Sequence, residues 1–177
     1  MQQLVMKHPS LTRTTPFEGL TVRVAAQHDA EALASLLSVA FPEMEWDAAR
    51  VERDLLKAED VQATFFVEEK GRALGTASAR YFDTRFPGVG YVHWVGVDPV
   101  ARGRAVFDAV MSAVHDRFSA DGRTVAFLET DDRRLPAISA YLRLGYVPQY
   151  TEPDHERRWS TIFTALAAAR RSARNTK

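Results

Sequence analysis

One stretch constrains this chain more than any other: Tyr91 to Phe118, YVHWVGVDPVARGRAVFDAVMSAVHDRF. Tyr91–Val97 is β-branched and aromatic, with no proline, acid, lysine or arginine, and reads as a buried strand. Asp98-Pro99 breaks it, and Arg102-Gly103-Arg104 makes a short basic turn. Val106, Val110, Val114 and Phe118 then recur at every fourth position, with Phe107 and Met111 widening the stripe into the face of an amphipathic helix. A strand passing through a tight turn into a helix leaves backbone N–H groups unpaired at the helix start. The positive end of the helix dipole lies there too, so the junction suits a phosphate.

The segments around it fix the fold class. Asp121-Gly122 ends the helix, and Thr124–Glu129 is a nearly continuous apolar strand. Two buried strands joined through a helix imply a parallel β-α-β crossover. Upstream, Leu20–Ala25 alternates as a strand. Asp29 offers an N-cap to a helix with Leu33, Leu36, Leu37 and Ala40 inward, and Asp47 does so for a second with Val51, Leu55 and Leu56. Ala63–Glu68 and Ala73–Phe82 flank the turn Glu69-Lys70-Gly71 as an antiparallel pair, with Gly75 as a bulge candidate. Downstream, Leu135-Pro136 opens a helix that stops at Gly145, and Tyr146–Tyr150 is a last short strand. Trp159, Ile162, Phe163 and Leu166 follow at helical spacing, which predicts a C-terminal helix from about 155 to 170.

The length of 177 residues suits one domain. It is expected over residues 19–170, after a flexible lead-in (1–18) and before a basic, fraying tail (171–177). Lysine plus arginine total 23, as do aspartate plus glutamate, so no global charge draws the chain to nucleic acid or an anionic membrane. There is no cysteine, which removes disulfides, thiolate metal sites and cysteine nucleophiles and fits the reducing cytoplasm. No apolar run approaches the ~18 residues that span a bilayer, and the N-terminus lacks a continuous secretory h-region.

Val97-x-Pro99-x-x-Arg102-Gly103, followed by its helix, resembles the acyl-CoA-binding segment of the GNAT superfamily of N-acetyltransferases. A second segment agrees: Ala137, Tyr141, Gly145 and Tyr146 match the Ala-x-x-x-Tyr-x-x-x-Gly-Phe/Tyr pattern with which many members end their core. The resemblance covers roughly residues 91–147 and implies an α/β (α+β) fold. Its sheet would be mixed and mostly antiparallel, of about six strands, with a central parallel, splayed pair and flanking helices. It implies acetyl-CoA as co-substrate, no metal, and a small-molecule or peptide amine as acceptor; it also allows a homodimer. Val95, Val97, Arg102, Gly103, Arg104, Ala105, Val106 and Phe107 would hold the cofactor, the turn presenting N–H groups to its pyrophosphate. Ala105 stands where the family has a glycine and Phe107 where it has glycine or alanine. Ala105 is accommodated there without strain only at negative φ, and Phe107 brings bulk toward the expected cofactor path.

Acetyl transfer needs a deprotonated amine, donors for the tetrahedral oxyanion and an acid for the leaving thiolate. Tyr141 matches the family's tyrosine near the CoA sulfur and is the candidate acid. The usual glutamate of the fourth strand is absent. Tyr91 and His93 share a face of that strand, so His93 is the candidate base and Glu129 the competing carboxylate. Asp131 and Asp132 can attract a cationic amine, and Arg80 and Arg85 an anionic group. The loop Phe41–Trp46 either lines the acceptor pocket or clamps the core. Two functions compete: an acetyl-CoA-dependent N-acetyltransferase, or a non-catalytic CoA-binding or ligand-sensing module on the same fold.

Overall fold

The structure is a computed structural model that describes residues 2–11 and 20–175. The end of the expected lead-in, near Gly19, and the last two residues of the tail lie outside the described residues. The chain divides into two units, Ser10–Ala126 and Met1–Pro9 with Phe127–Lys177.

In the first unit, strands β2 (Val22–Val24), β3 (Val61–Glu69), β4 (Arg72–Arg80) and β5 (Gly90–Val97) form an antiparallel meander. Helix α1 (Ala30–Ala40) precedes α2 (Ala48–Val51), which runs on into a π-helical turn over Glu52–Leu56. Asp47 caps α2 as its sequence predicts, accepting from the Arg50 N–H at 2.7 Å. Asp29 instead accepts from the Ala26 N–H and from Arg23 at 2.7–2.8 Å. Leu33, Leu37, Val51 and Leu55 pack with Phe66 and Ala73 in one apolar cluster.

Helix α3 (Val106–Ala120) lies on the other face of this sheet. Two glycines show it. A Cβ on Gly75 would stand 2.4 Å from Val106 of α3, whereas one on Gly96 would stand 3.1 Å from Ala40 of α1. Gly96 pairs with Thr76, the neighbour of Gly75, and adjacent strand residues point to opposite faces. A bulge does lie beside Gly75: Val67 pairs with Gly75 and Glu68 with Ala73, leaving Leu74 as the extra residue. The far end of α3 is equally close, since a Cβ on Gly90 would stand 2.4 Å from the Phe118 ring. The Gly90 N–H donates to the Val125 carbonyl at 2.9 Å. Strand β6 (Ala126–Thr130) begins at the next residue.

In the second unit β6 is followed by α4 (Leu135–Arg143), β7 (Val147–Gln149) and α5 (His155–Asn175). Gly145, at φ 94°, ends α4 in a Schellman turn: the Tyr146 N–H reaches the Tyr141 carbonyl at 3.0 Å and the Gly145 N–H that of Leu142 at 3.1 Å. Seven strands are present among the described residues, one more than expected, because Leu4–His8 of the expected lead-in forms β1. It lies between β6 and β7, antiparallel to β7, with Met6 opposite Pro148. Leu4, Val5 and Met6 are buried, which a polar lead-in does not supply. The C-terminal helix is present and runs through residues 171–175, where a fraying tail was expected. Trp159 and Ile162 are buried, and Arg158, itself buried, holds Asp132 at 2.5 and 3.1 Å.

Helix α3 is entered through Ala105 in the left-handed conformation, φ +58°. The negative φ expected for an alanine is not what the turn adopts. A Cβ in that region costs about 1–2 kcal/mol, part of which glycine recovers despite its larger unfolded-state entropy. Ala105→Gly should therefore raise unfolding free energy by about 0.5–1 kcal/mol in urea titrations, and a fall would show that the residue is unstrained. Gly90→Ala should lower it by about 1–3 kcal/mol, because the new methyl meets the Phe118 ring; no change would mean that α3 shifts freely.

Candidate functional site

Strand β5 carries a defect that no propensity announces. His93 pairs with Ser78 and Gly96 with Thr76, so Trp94 and Val95 together oppose the single residue Ala77. Trp94 takes φ +47°. This is a β-bulge, and its extra residue leaves the ladder to β4, freeing backbone polar groups beside it. An aromatic residue in the left-handed region is strained by roughly 1–3 kcal/mol and persists only where packing holds it. Here the Trp94 ring packs edge-on against Phe41 (5.2 Å) and Trp46 (4.7 Å), at the end of α1 and in the loop before α2. The loop Phe41–Trp46 thus clamps the bulge, with Trp46 buried and its indole N–H without a partner among the described residues.

His93 sits between the rings of Tyr91 (5.5 Å) and Trp94 (5.0 Å). Its Nδ1 is buried and has no hydrogen-bond partner among the described residues. Burial lowers its pKa to about 4, and the positive charge of Arg80 acts in the same direction against weaker pulls from Asp60 and Asp54. The imidazole is therefore neutral at pH 7. Arg80 is itself held by Asp60, with Nε at 2.7 Å, and Arg85 lies over the Phe86 ring.

After Val97 the chain is clamped before it turns. The Asp98 N–H donates to the Leu74 carbonyl at 2.8 Å. Its buried carboxylate accepts from the Val100 N–H at 3.0 Å and from Arg72 at 2.5 and 3.1 Å. The backbone N–H first, and Arg72 after it, hold its pKa below the usual carboxylate range. A single 3₁₀ turn, Pro99–Ala101, follows. Arg102–Ala105 is exposed, with left-handed backbone at Gly103 (φ +79°) and Ala105 (φ +58°). Such alternation makes a concave nest of N–H groups. The helix start adds its own, because the first intrahelical bond after Ala105 runs from the Ala109 N–H to the Ala105 carbonyl.

The arginines of the turn differ. Arg104 is committed: its guanidinium pairs with Glu69 at 2.5 and 3.1 Å and its N–H donates to the Ala101 carbonyl. Arg102 is exposed and meets no carboxylate among the described residues. A pyrophosphate would find there a nest, a helix start and one uncommitted guanidinium. Phe107 is half-buried on α3.

The other expected residues belong to the second unit. Tyr141 is buried on α4, its ring 5.8 Å from Tyr146, and burial pushes its hydroxyl pKa upward, so it stays protonated at neutral pH. Glu129 is half-buried on β6. Asp131 pairs with Arg134 at 3.1 Å and Asp132 with Arg158, which leaves neither carboxylate uncompensated. Two features escaped the sequence: the bulge at Trp94 and the Asp98–Arg72 clamp. Only the second had a signal, an aspartate before proline, which favours a side-chain-capped turn.

The chain has counterparts in sequence profile and in fold among known proteins. A profile of the acetyltransferase (GNAT) family matches residues 30–146. No curated protein matches the chain by sequence. Among solved structures, a GNAT-family protein from Novosphingobium aromaticivorans DSM 12444 superposes with a TM-score of 0.64 at 19% identity, over 82% of this chain and 59% of its own. The ribosomal-protein-S18-alanine N-acetyltransferase of Escherichia coli gives 0.62 at 17%, over 74% of this chain and 79% of its own. A transcriptional regulator from Bacillus halodurans C-125 gives 0.62 at 17%, over 75% and 96%. The chain thus spans a little over half of the first of these proteins, and the likeness to all three is one of fold. With the profile covering both the nest and the Tyr141 segment, the chain belongs to the GNAT acetyltransferase family.

Proposed function

We propose that the chain is an N-acetyltransferase that moves an acetyl group from acetyl-CoA to a primary amine of a small molecule or peptide by direct attack in a ternary complex. The observation that carries this reading is the turn between β5 and α3, where Ala105 takes the left-handed conformation that glycine favours in spite of its Cβ. Arg102 and the amides of Gly103, Ala105, Val106 and Phe107 would bind the pyrophosphate, and the backbone at Val95 and Val97 the pantetheine. The bulge at Trp94 supplies backbone polar groups outside the ladder for the thioester carbonyl. The alternative, a CoA-binding or ligand-sensing module without catalysis, draws on Phe107 and the absence of a carboxylate from β5. The lack of cysteine suits the reducing cytoplasm as its location. Among the described residues no helix is long and apolar enough to cross a membrane, and no side-chain cluster is arranged to hold a metal.

The amine nitrogen forms its bond to the thioester carbon, the tetrahedral intermediate collapses, and the C–S bond breaks with its electron pair on sulfur. Tyr141, protonated at neutral pH, gives its proton to that thiolate and is restored by the proton the amine surrenders. His93 is a weak base at a pKa of about 4, so it accepts a hydrogen bond from an amine that arrives already neutral and does not deprotonate an ammonium ion. Glu129 is the remaining candidate for that step.

A screen of amines, followed by thiol release, tests the reading. Tyr141→Phe should lower kcat by about 100-fold or more while acetyl-CoA binding is kept, and an unchanged kcat removes Tyr141 from the chemistry. The pH profile of kcat/KM should rise toward alkaline pH with the amine and show no limb near the ordinary histidine pKa. A limb near pH 6.5 that disappears in His93→Gln would establish His93 as the base after all. Stability carries the same signature. His93 binds a proton more readily when unfolded, so stability is complete above about pH 6.5 and is lost as pH falls toward 4. Thermal melts of His93→Gln should lose part of that decline; an identical decline assigns it to other groups.

A further inference from the structure

The last turns of α5 are more exposed than its first: residues 167–173 are exposed, whereas His155, Arg158, Trp159 and Ile162 are buried. A groove of about 360 Å³ runs along its outer side, lined by Leu142, Phe163, Leu166, Ala167, Arg170 and Arg171. Phe163 is 40% exposed at its centre. Alternating steps of four and three residues place Glu156, Ser160, Phe163, Ala167 and Arg170 on one stripe of the helix. All five are exposed, and neither Glu156 nor Arg170 forms an ion pair with another described residue.

That stripe is complementary to itself reversed. Glu156 lies seven residues before Phe163 and Arg170 seven after it, two helical turns in each direction. The small residues Ser160 and Ala167 flank the aromatic ring on either side. We propose that a second copy of this chain docks antiparallel on α5, with Phe163 at the two-fold axis. In that register Glu156 of each copy meets Arg170 of the other, so both ion pairs form at once and the two Phe163 rings fill the facing grooves. One surface serves both copies, as a closed two-fold dimer requires. The charges fix direction and register, because a parallel pairing would set Glu156 against Glu156 and Arg170 against Arg170.

Sedimentation equilibrium of the full chain tests this, with circular dichroism to confirm that each variant is folded. The wild type should be a dimer at micromolar concentration, and Phe163→Asp should be a monomer. Glu156→Arg or Arg170→Glu alone should weaken self-association by about tenfold, since two pairs are lost and like charges face each other. An equimolar mixture of these two single variants should regain a dimer containing one chain of each, and the double variant should regain the homodimer. The proposal is overturned by a wild type that stays monomeric, including one that binds anionic vesicles instead. It is equally overturned by a dimer indifferent to Phe163→Asp, or by charge variants that fail to complement in the mixture.

Discussion

The structure of the first unit depends on how closely helix α3 lies against its sheet. Val106 at one end sits where a Cβ on Gly75 would be, and Phe118 at the other sits where a Cβ on Gly90 would be. Two glycines on two strands therefore set the position of the helix at both ends. This matters because the helix start is the end to which we assign the pyrophosphate. With α3 pinned, the N–H groups of its first turn and of the nest before it occupy a fixed position relative to the end of β5. Asp98, tied to Leu74, Val100 and Arg72, holds the connection between them. Preorganised donors of this kind bind an anion without first having to be ordered.

The opposite face of the same sheet does different work. The bulge at Trp94 shifts the alternation of β5 by one residue, so that Gly90 faces α3 while Gly96 faces α1. Without that extra residue the two glycines, six apart, would share a face. The shift also puts His93 among aromatic rings, where burial keeps it neutral. The cost of a tryptophan in the left-handed region is offset by its packing on Phe41 and Trp46. A loop that sequence reading left open between acceptor pocket and core clamp thus has a structural duty, whatever it also contacts in a complex.

Much of this architecture is legible in the amino-acid sequence because local and periodic signals agree. The every-fourth-residue stripe of α3, the Asp47 cap and the Gly145 stop appear where their chemistry predicts. The strand β1 was not legible. Leu4, Val5 and Met6 make too short an apolar run among polar neighbours, and only pairing with β7 turns them into a strand. The end of α5 was not legible either: basic composition suggests a tail from residue 171, yet in an Ala- and Arg-rich segment of high helix propensity α5 runs to Asn175. At the site, residue types were readable but partnerships were not. Nothing in the sequence distinguishes Arg104, bound to Glu69, from Arg102, which stands in the nest with no carboxylate partner among the described residues.

The central claim is that the turn from Arg102 to Val106 still accepts a pyrophosphate although alanine and phenylalanine replace the usual small residues. Calorimetric titration of the full chain with acetyl-CoA tests it most directly. The account predicts saturable one-to-one binding with a dissociation constant on the order of micromolar. No heat of binding to acetyl-CoA, even at millimolar concentration, would contradict it and would leave a GNAT fold whose nest no longer receives its cofactor.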